Sequence, residues 1–195
     1  MVIGCILAGG QNRRMNGKKK LLLDCRGKPF YQYLLQALSG LERVYLSVDE
    51  QEPYRHLGLP MVEDRFPGTG PLGGIGSGLM CCRGQALFVV PCDTPFLTRS
   101  AVEKLLARYE QTGRPVFAEA EGHLQPLCGV YPPEVLPLVE QQLARQDYKL
   151  MHLLERLDYD RVCLEKGARE LININTPEEY LRWVQNGEGP GTAAE

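Results

Sequence analysis

The chain has 195 residues, 44% hydrophobic and 24% charged, with a formal net charge of -2. This length suits one domain that buries roughly 70% of its unfolded surface, and the composition is that of an ordinary globular protein. So small a charge sets up no field to gather nucleic acid or an acidic membrane, and no apolar run approaches the ~18–20 residues that span a bilayer.

The one basic stretch, Arg13, Arg14, Lys18, Lys19 and Lys20, has no interleaved aromatic residues for stacking bases. The seven cysteines are odd in number and contain no Cys-x-x-Cys pair, so they read as reduced, buried thiols and not as a disulfide framework or zinc site. The first strand begins at Val2 without a basic n-region or cleavage site, and a cytoplasmic protein is expected. His56, His123 and His152 show no ligand spacing and read as surface or packing residues.

Along the chain, strand and helix patterns alternate. Val2 to Leu7 is an apolar run that stops at Ala8-Gly9-Gly10, a buried strand feeding a loop. Pro29 opens a helix through Tyr33, Leu34, Ala37 and Leu38 that ends at Gly40. Arg43 to Val48 alternates as a second strand. A short helix near Tyr54 to Leu57 leads to a third strand at Pro60 to Glu63. A Gly-rich stretch, residues 68–78, precedes a helix over Leu79 to Cys82.

Ala86 to Val90 is the clearest buried strand and ends at Pro91-Cys92-Asp93. Thr98 or Ser100 caps an amphipathic helix through Val102, Leu105, Leu106 and Tyr109. Pro115 to Glu119 and Pro126 to Tyr131 read as strands around a turn at Glu121-Gly122. Helices are expected at 133–144 and 148–157, strands near Arg161 to Leu164 and Glu170 to Ile174, and a last helix from Thr176 to about Gln185. Residues 187–195 have nothing apolar to bury and should be a disordered tail, leaving one domain over 1–186.

This alternation predicts an α/β fold: a Rossmann-like three-layer sandwich with a mostly parallel central sheet. Such sheets bind ligands at the carboxyl ends of their strands. After the first strand come Gly9 and Gly10, whose backbone can approach a polyphosphate, then arginines and lysines suited to phosphate oxygens. The loop is not a Walker A motif: six residues, not four, separate Gly10 from Gly17-Lys18, and Lys19 follows. A solvated basic loop is the bland alternative.

The string Leu7-Ala8-Gly9-Gly10, Arg14-Met15, Lys20 closely resembles the signature loop of the molybdenum cofactor guanylyltransferases and related small nucleotidyltransferases. The resemblance implies a sheet of the nucleotide-diphospho-sugar transferase type. It implies that Leu7, Ala8, Gly9 and Gly10 contact the nucleotide, that Arg14 lies at the phosphates, and that Lys20 is the motif lysine. The family has Gly after the Met, whereas this chain has Asn16 and then Gly17. Asn tolerates left-handed backbone better than most residues.

Pro91-Cys92-Asp93-Thr94-Pro95 resembles the family's metal-binding string, which makes Asp93 the ligand of a Mg²⁺ cofactor. On its own, an Asp before Thr-Pro also suits a turn or helix cap. Asp64 aligns with a nucleotide-contacting Asp, reading either base or ribose, and Ser47 stands where the family often has Asn. Gly70-Pro71-Leu72 resembles the base-binding turn. Gly68, Gly70 and Gly73 also match G-x-G-x-x-G, but no strand runs directly into them, which weakens a dinucleotide-binding dehydrogenase reading.

Thr176, Pro177 and Glu179 form a capping box. Just before it, Asn173 and Asn175 alternate with Ile172 and Ile174, which puts both amides on one face. With Gln125, they are what the resemblance places on the acceptor side. The implied reaction is GMP transfer from GTP to molybdopterin, with or without molybdenum, releasing pyrophosphate. It leaves room for transient contact with proteins that deliver molybdopterin or mature molybdoenzymes. A sister enzyme using CTP, with molybdopterin or a sugar phosphate, is the nearest alternative, followed by a non-catalytic nucleotide-binding module.

Overall fold

Strands that are apolar on both faces need cover on both faces, and this sheet has it. The structure is a computed structural model that describes residues 1–9, 19–164 and 169–186. Its seven-stranded sheet has the order Met61–Val62 (β5), Val44–Ser47 (β4), Val2–Leu7 (β1), Ala86–Pro91 (β6), His123–Tyr131 (β8), Val116–Ala120 (β7), Asp160–Cys163 (β9). β1 runs parallel to β4 and β6, β4 to β5, and β7 to β9; β8 alone is antiparallel to its neighbours β6 and β7. Asp24–Cys25 (β2) and Lys28–Pro29 (β3) form a separate hairpin.

Alternation along the strands builds two cores. Ile6, Phe88, Val90, Val116 and Val130 face one way, against Leu34 and Leu38 at helix Phe30–Ala37 (α1) and Val102 and Leu105 of helix Arg99–Thr112 (α3). Cys5, Leu87, Val89, Phe117 and Tyr131 face the other way, against helices Pro71–Cys81 (α2), Leu136–Ala144 (α4) and Leu150–Leu154 (α5). The result is the expected three-layer α/β sandwich.

A third cluster ties the C-terminal segment down. Cys25, Phe30, Phe96, Ile174 and Val184 are buried together, joined by Tyr180 of helix Pro177–Tyr180 (α6). The Tyr180 hydroxyl donates to the Asp24 carbonyl at 2.5 Å, and the Tyr33 hydroxyl to the Cys25 carbonyl at 2.7 Å. Two caps follow the sequence. Thr98, not Ser100, caps α3 by accepting from the Ala101 N–H, and Thr176 with Glu179 forms the capping box of α6. A wider, π-type turn over Leu181–Gln185 continues that helix. The expected tail, 187–195, lies outside the described residues.

Two expectations are corrected. The helix expected at Leu79 starts at Pro71, eight residues earlier, although glycine costs about 1 kcal/mol in a helix interior. Packing overrides propensity here: a Cβ on Gly74 would sit 3.0 Å from the Leu7 side chain and 3.3 Å from the Ser47 hydroxyl, so small residues let α2 lie close on the sheet. The strand expected at Glu170 to Ile174 does not form. Its residues run beside the loop after β6, where the Ile174 N–H donates to the Asp93 carbonyl at 2.8 Å, and they add no rung to the sheet.

At the far edge, the buried Asp160 of β9 accepts from Arg108 at 3.1 Å and pairs with Arg114. Burial disfavours its charge, but the hydrogen bond from Arg108 and the charges of Arg108 and Arg114 outweigh that and hold the carboxyl below its usual range. Both arginines are about two-fifths exposed, so Asp160→Asn should cost only about 1.5 kcal/mol. For a domain of this size that is a fall of roughly 3–6 °C in Tm. A lowered folded-state pKa gives stability that is present above the unfolded value, near pH 4, and lost as pH falls through the folded one. Thermal unfolding should therefore show the gap between wild type and variant at pH 7 closing below about pH 4; a gap that stays constant with pH would contradict this linkage.

Candidate active site

Register levels the strand ends. Leu7 lies opposite Ser47 on one side and Pro91 on the other, and Ser47 opposite Val62. Two residues beyond each of these ends stand Gly9, Asp49, Asp64 and Asp93. Together with Leu7, Lys20, Ser47, Gly70, Pro71 and Leu127 they line a cavity of about 430 Å³. Gly70, at φ 67° and ψ -151°, makes the turn into α2 in a conformation that favours glycine.

Asp93 sits where two turns are locked. The Cys92 N–H donates to the Leu7 carbonyl at 3.0 Å, and the buried Thr94 hydroxyl to the Pro91 carbonyl at 2.9 Å. The Asp93 carboxylate is not a cap: among the described residues its partner is Lys20, whose ammonium lies 3.0 Å from Oδ2. The same ammonium donates to Asn175 Oδ1 at 2.5 Å. Burial, and next the charge of Asp93, push the Cys92 thiol up to about 12, so it stays protonated at neutral pH and is no nucleophile.

Asp64 is oriented from behind. Its Oδ1 accepts from the Phe66 N–H at 2.9 Å and from the Ser77 hydroxyl at 3.4 Å. Oδ2 has no protein partner among the described residues and can accept N–H or O–H groups from a ligand.

A second cavity, about 300 Å³, is lined by Gln125, Asn173, Asn175, Thr94 and Leu171, and shares Pro91, Asp93 and Leu127 with the first. A break in register shapes it. Phe117 pairs with Gly129 but Ala118 with Gln125, so Pro126, Leu127 and Cys128 bulge from β8 toward the site. Glycine is required at 129, because a Cβ there would collide with the Val116 carbonyl oxygen. The fully buried Tyr131 holds the bulge: its hydroxyl donates to the Pro126 carbonyl at 2.8 Å.

The structure thus brings Leu7, Gly9, Lys20, Ser47, Asp64, Gly70 and Asp93 around one cavity and Gln125, Asn173 and Asn175 around the other. Ala8 and Leu72 are not among the residues lining the first cavity; their side chains are buried in the two cores, which leaves only their backbone to meet a ligand. Gly10 and Arg14 lie outside the described residues. Sequence reasoning missed Asp49, whose Oδ1 would lie 2.5 Å from a Cβ on Gly9; its position two residues past a strand end, like Asp64 and Asp93, was the available signal. A groove of about 840 Å³ beside β4, β5 and the end of α2 holds none of the expected site residues.

The comparisons with known proteins agree with this geometry. Residues 4–162 match the family described as MobA-like NTP transferase domain. The chain belongs to that family. Within it, the molybdenum cofactor guanylyltransferase of Vibrio atlanticus (strain LGP32) is 33% identical over 180 residues, 91% of this chain and 93% of that protein. Molybdopterin-guanine dinucleotide biosynthesis protein A from Archaeoglobus fulgidus shares the fold at TM-score 0.80 and 23% identity, over 96% of this chain and 99% of that one. So does 4-diphosphocytidyl-2C-methyl-D-erythritol synthase from Anaerococcus prevotii, at TM-score 0.75 and 13% identity over 96% of each chain. The family assignment makes the chain a nucleotidyltransferase.

Tyr131→Phe tests the support of the bulge. Leaving the part-buried Pro126 carbonyl without its donor should cost about 1 kcal/mol. Leu127 and Gln125 flank that carbonyl, so the loss should appear both in Tm and as weaker binding in the second cavity. An unchanged Tm would mean that the hydroxyl contributes nothing to the bulge.

Proposed function

We propose that the chain transfers GMP from GTP to molybdopterin, releasing pyrophosphate and giving the guanine dinucleotide cofactor. The observation that carries this reading is the meeting of two cavities at Asp93, whose carboxylate pairs with Lys20, which suits a reaction joining two phosphate-bearing substrates. The larger takes the nucleotide, along the backbone of Leu7, Ala8 and Gly9, with Gly70, Leu72 and Pro71 beside the base. Asp64 accepts from the N–H groups of guanine or from ribose, and Ser47 adds a hydroxyl. The smaller takes the acceptor, with the amides of Gln125, Asn173 and Asn175 facing a pterin edge. Arg14 and Gly10 act on the phosphates by their place in the signature loop.

Mg²⁺ fits this site as an ion brought by its substrate. Mg²⁺ is held by one or two carboxylates plus phosphate oxygens and water, and Asp93 supplies one carboxylate. Among the described residues no group of three or more His, Cys, Asp or Glu could hold an ion alone. Bound there, Mg²⁺ would neutralise charge on the α-phosphate and the departing pyrophosphate.

The attacking group is a phosphate monoester and already anionic at neutral pH, so no general base is needed. The residues' work is to align two anions and offset their charge. Lys20, within reach of both cavities, is the group placed to do so. No helix among the described residues is long and apolar enough to cross a membrane, and all seven cysteines are free. A cytoplasmic enzyme that exchanges substrate with molybdopterin-delivering and molybdoenzyme-maturation proteins accords with both.

Asp93→Ala should abolish metal-dependent pyrophosphate release, and Lys20→Ala should slow it by on the order of 10²–10³-fold. Near-normal rates in both variants would remove the mechanism. A panel of nucleotides tests the base: Mg²⁺ with GTP should raise Tm more than Mg²⁺ with CTP or ATP and should release pyrophosphate when molybdopterin is present. A larger CTP response would favour the cytidylyl alternative. Stabilisation by GTP without pyrophosphate release would mark a binding module.

A further inference from the structure

We propose that Lys20 is a stand-in cation: in the free enzyme its ammonium fills the seat at Asp93, and the metal enters only together with the nucleotide whose phosphates draw the lysine away. This rests on the nucleotidyl-transfer reading above, yet concerns a step before any chemistry. Lys20 Nζ lies 3.0 Å from Asp93 Oδ2 and 2.5 Å from Asn175 Oδ1, with the lysine and aspartate side chains only 13% and 16% exposed. Of the oxygens a metal would want there, one carboxylate oxygen and one amide oxygen are therefore already engaged by a positive charge.

A divalent ion at the same carboxylate would sit a few ångström from that ammonium, in a partly buried place where charges are poorly screened. Nor can the remaining protein atoms compensate, since no cluster of three ligating side chains exists among the described residues. Polyphosphate changes both terms at once. Its oxygens complete the metal's shell, and they offer Lys20 another anion within reach of its flexible stem. Asn175 then has its amide oxygen released toward the acceptor cavity it lines.

The test is a Mn²⁺ titration of the nucleotide-free protein, with free Mn²⁺ read by electron paramagnetic resonance. Wild type and the charge-preserving Lys20→Arg should bind weakly, Lys20→Met should bind at least about tenfold tighter once the repelling charge is gone, and Lys20→Met with Asp93→Asn should return to weak binding. Equal affinity in wild type and Lys20→Met, or a gain that survives Asp93→Asn, would overturn the proposal. A second measurement needs no variant: the Lys20 ¹⁵Nζ resonance of wild type should be unmoved by Mg²⁺ alone and shifted by Mg²⁺ with inorganic triphosphate. A shift with Mg²⁺ alone would equally overturn it. These readouts are independent of turnover, so loss of GTP activity with the metal pattern intact would sink the proposed function and leave the stand-in cation standing.

Discussion

The site depends on the in-register parallel pairing of β1 with β4 and β6. That pairing, together with the pairing of β4 with β5, puts Leu7, Ser47, Val62 and Pro91 level, and hence Gly9, Asp49, Asp64 and Asp93 around one cavity. Backbone hydrogen bonds hold the level, from Ala8 N–H to the Ser47 carbonyl at 2.8 Å and from Cys92 N–H to the Leu7 carbonyl at 3.0 Å, but such bonds do not by themselves select the register. A slip of one residue would turn Cys5, Leu87 and Val89 to the face now filled by Ile6, Phe88 and Val90, exchanging every inward side chain between two differently shaped cores. Hydrophobic burial on both faces of the sheet therefore fixes the spacing of the carboxylates, and the polar chemistry inherits it.

The same physics explains what was legible. A strand buried on both faces writes itself as an unbroken apolar run, which is why Val2 to Leu7 and Ala86 to Val90 were read nearly to the residue. The capping box at Thr176 is local chemistry and was equally plain. Helix α2 was hidden because its glycines oppose helix formation, and the close approach that favours them, Gly74 against Leu7 and Ser47, exists only once the sheet is formed. Asp49 was passed over for a related reason: nothing local marks it, and only the common strand-end level makes it a neighbour of Gly9.

Two strand readings show the limit of a two-residue period. In 170–175 the alternation was right about direction, since Ile174 is buried while Asn173 and Asn175 reach the second cavity. It was wrong about pairing, because a period reports which way side chains point and not whether a neighbour strand has room. At β8 the strand starts at His123, before the expected Pro126, and that proline sits within the bulge, where a residue with no N–H costs no ladder bond. The bulge is what reaches the site, so the irregular part of the strand is also the part facing the ligand cavities.

Charge sets the orientation of whatever binds. Among the described residues lining the 430 Å³ cavity stand three carboxylates, Asp49, Asp64 and Asp93, against one ammonium, Lys20. Such a wall offers polyphosphate little compensation, and on the proposed reading a cation arriving with the nucleotide would supply part of it. Asp64, with one oxygen fixed by Phe66 and Ser77, is suited instead to neutral N–H and O–H donors. The smaller, 300 Å³ cavity is more lopsided still, since among its described lining residues the charged one is Asp93 and the rest are amides, a hydroxyl, a thiol and apolar groups. Beside that wall, the ammonium of Lys20, bonded to Asn175, is a cation that an anionic ligand could meet. On the proposed reading, electrostatics would turn the acceptor's phosphate toward Lys20 and its heterocycle toward the amides.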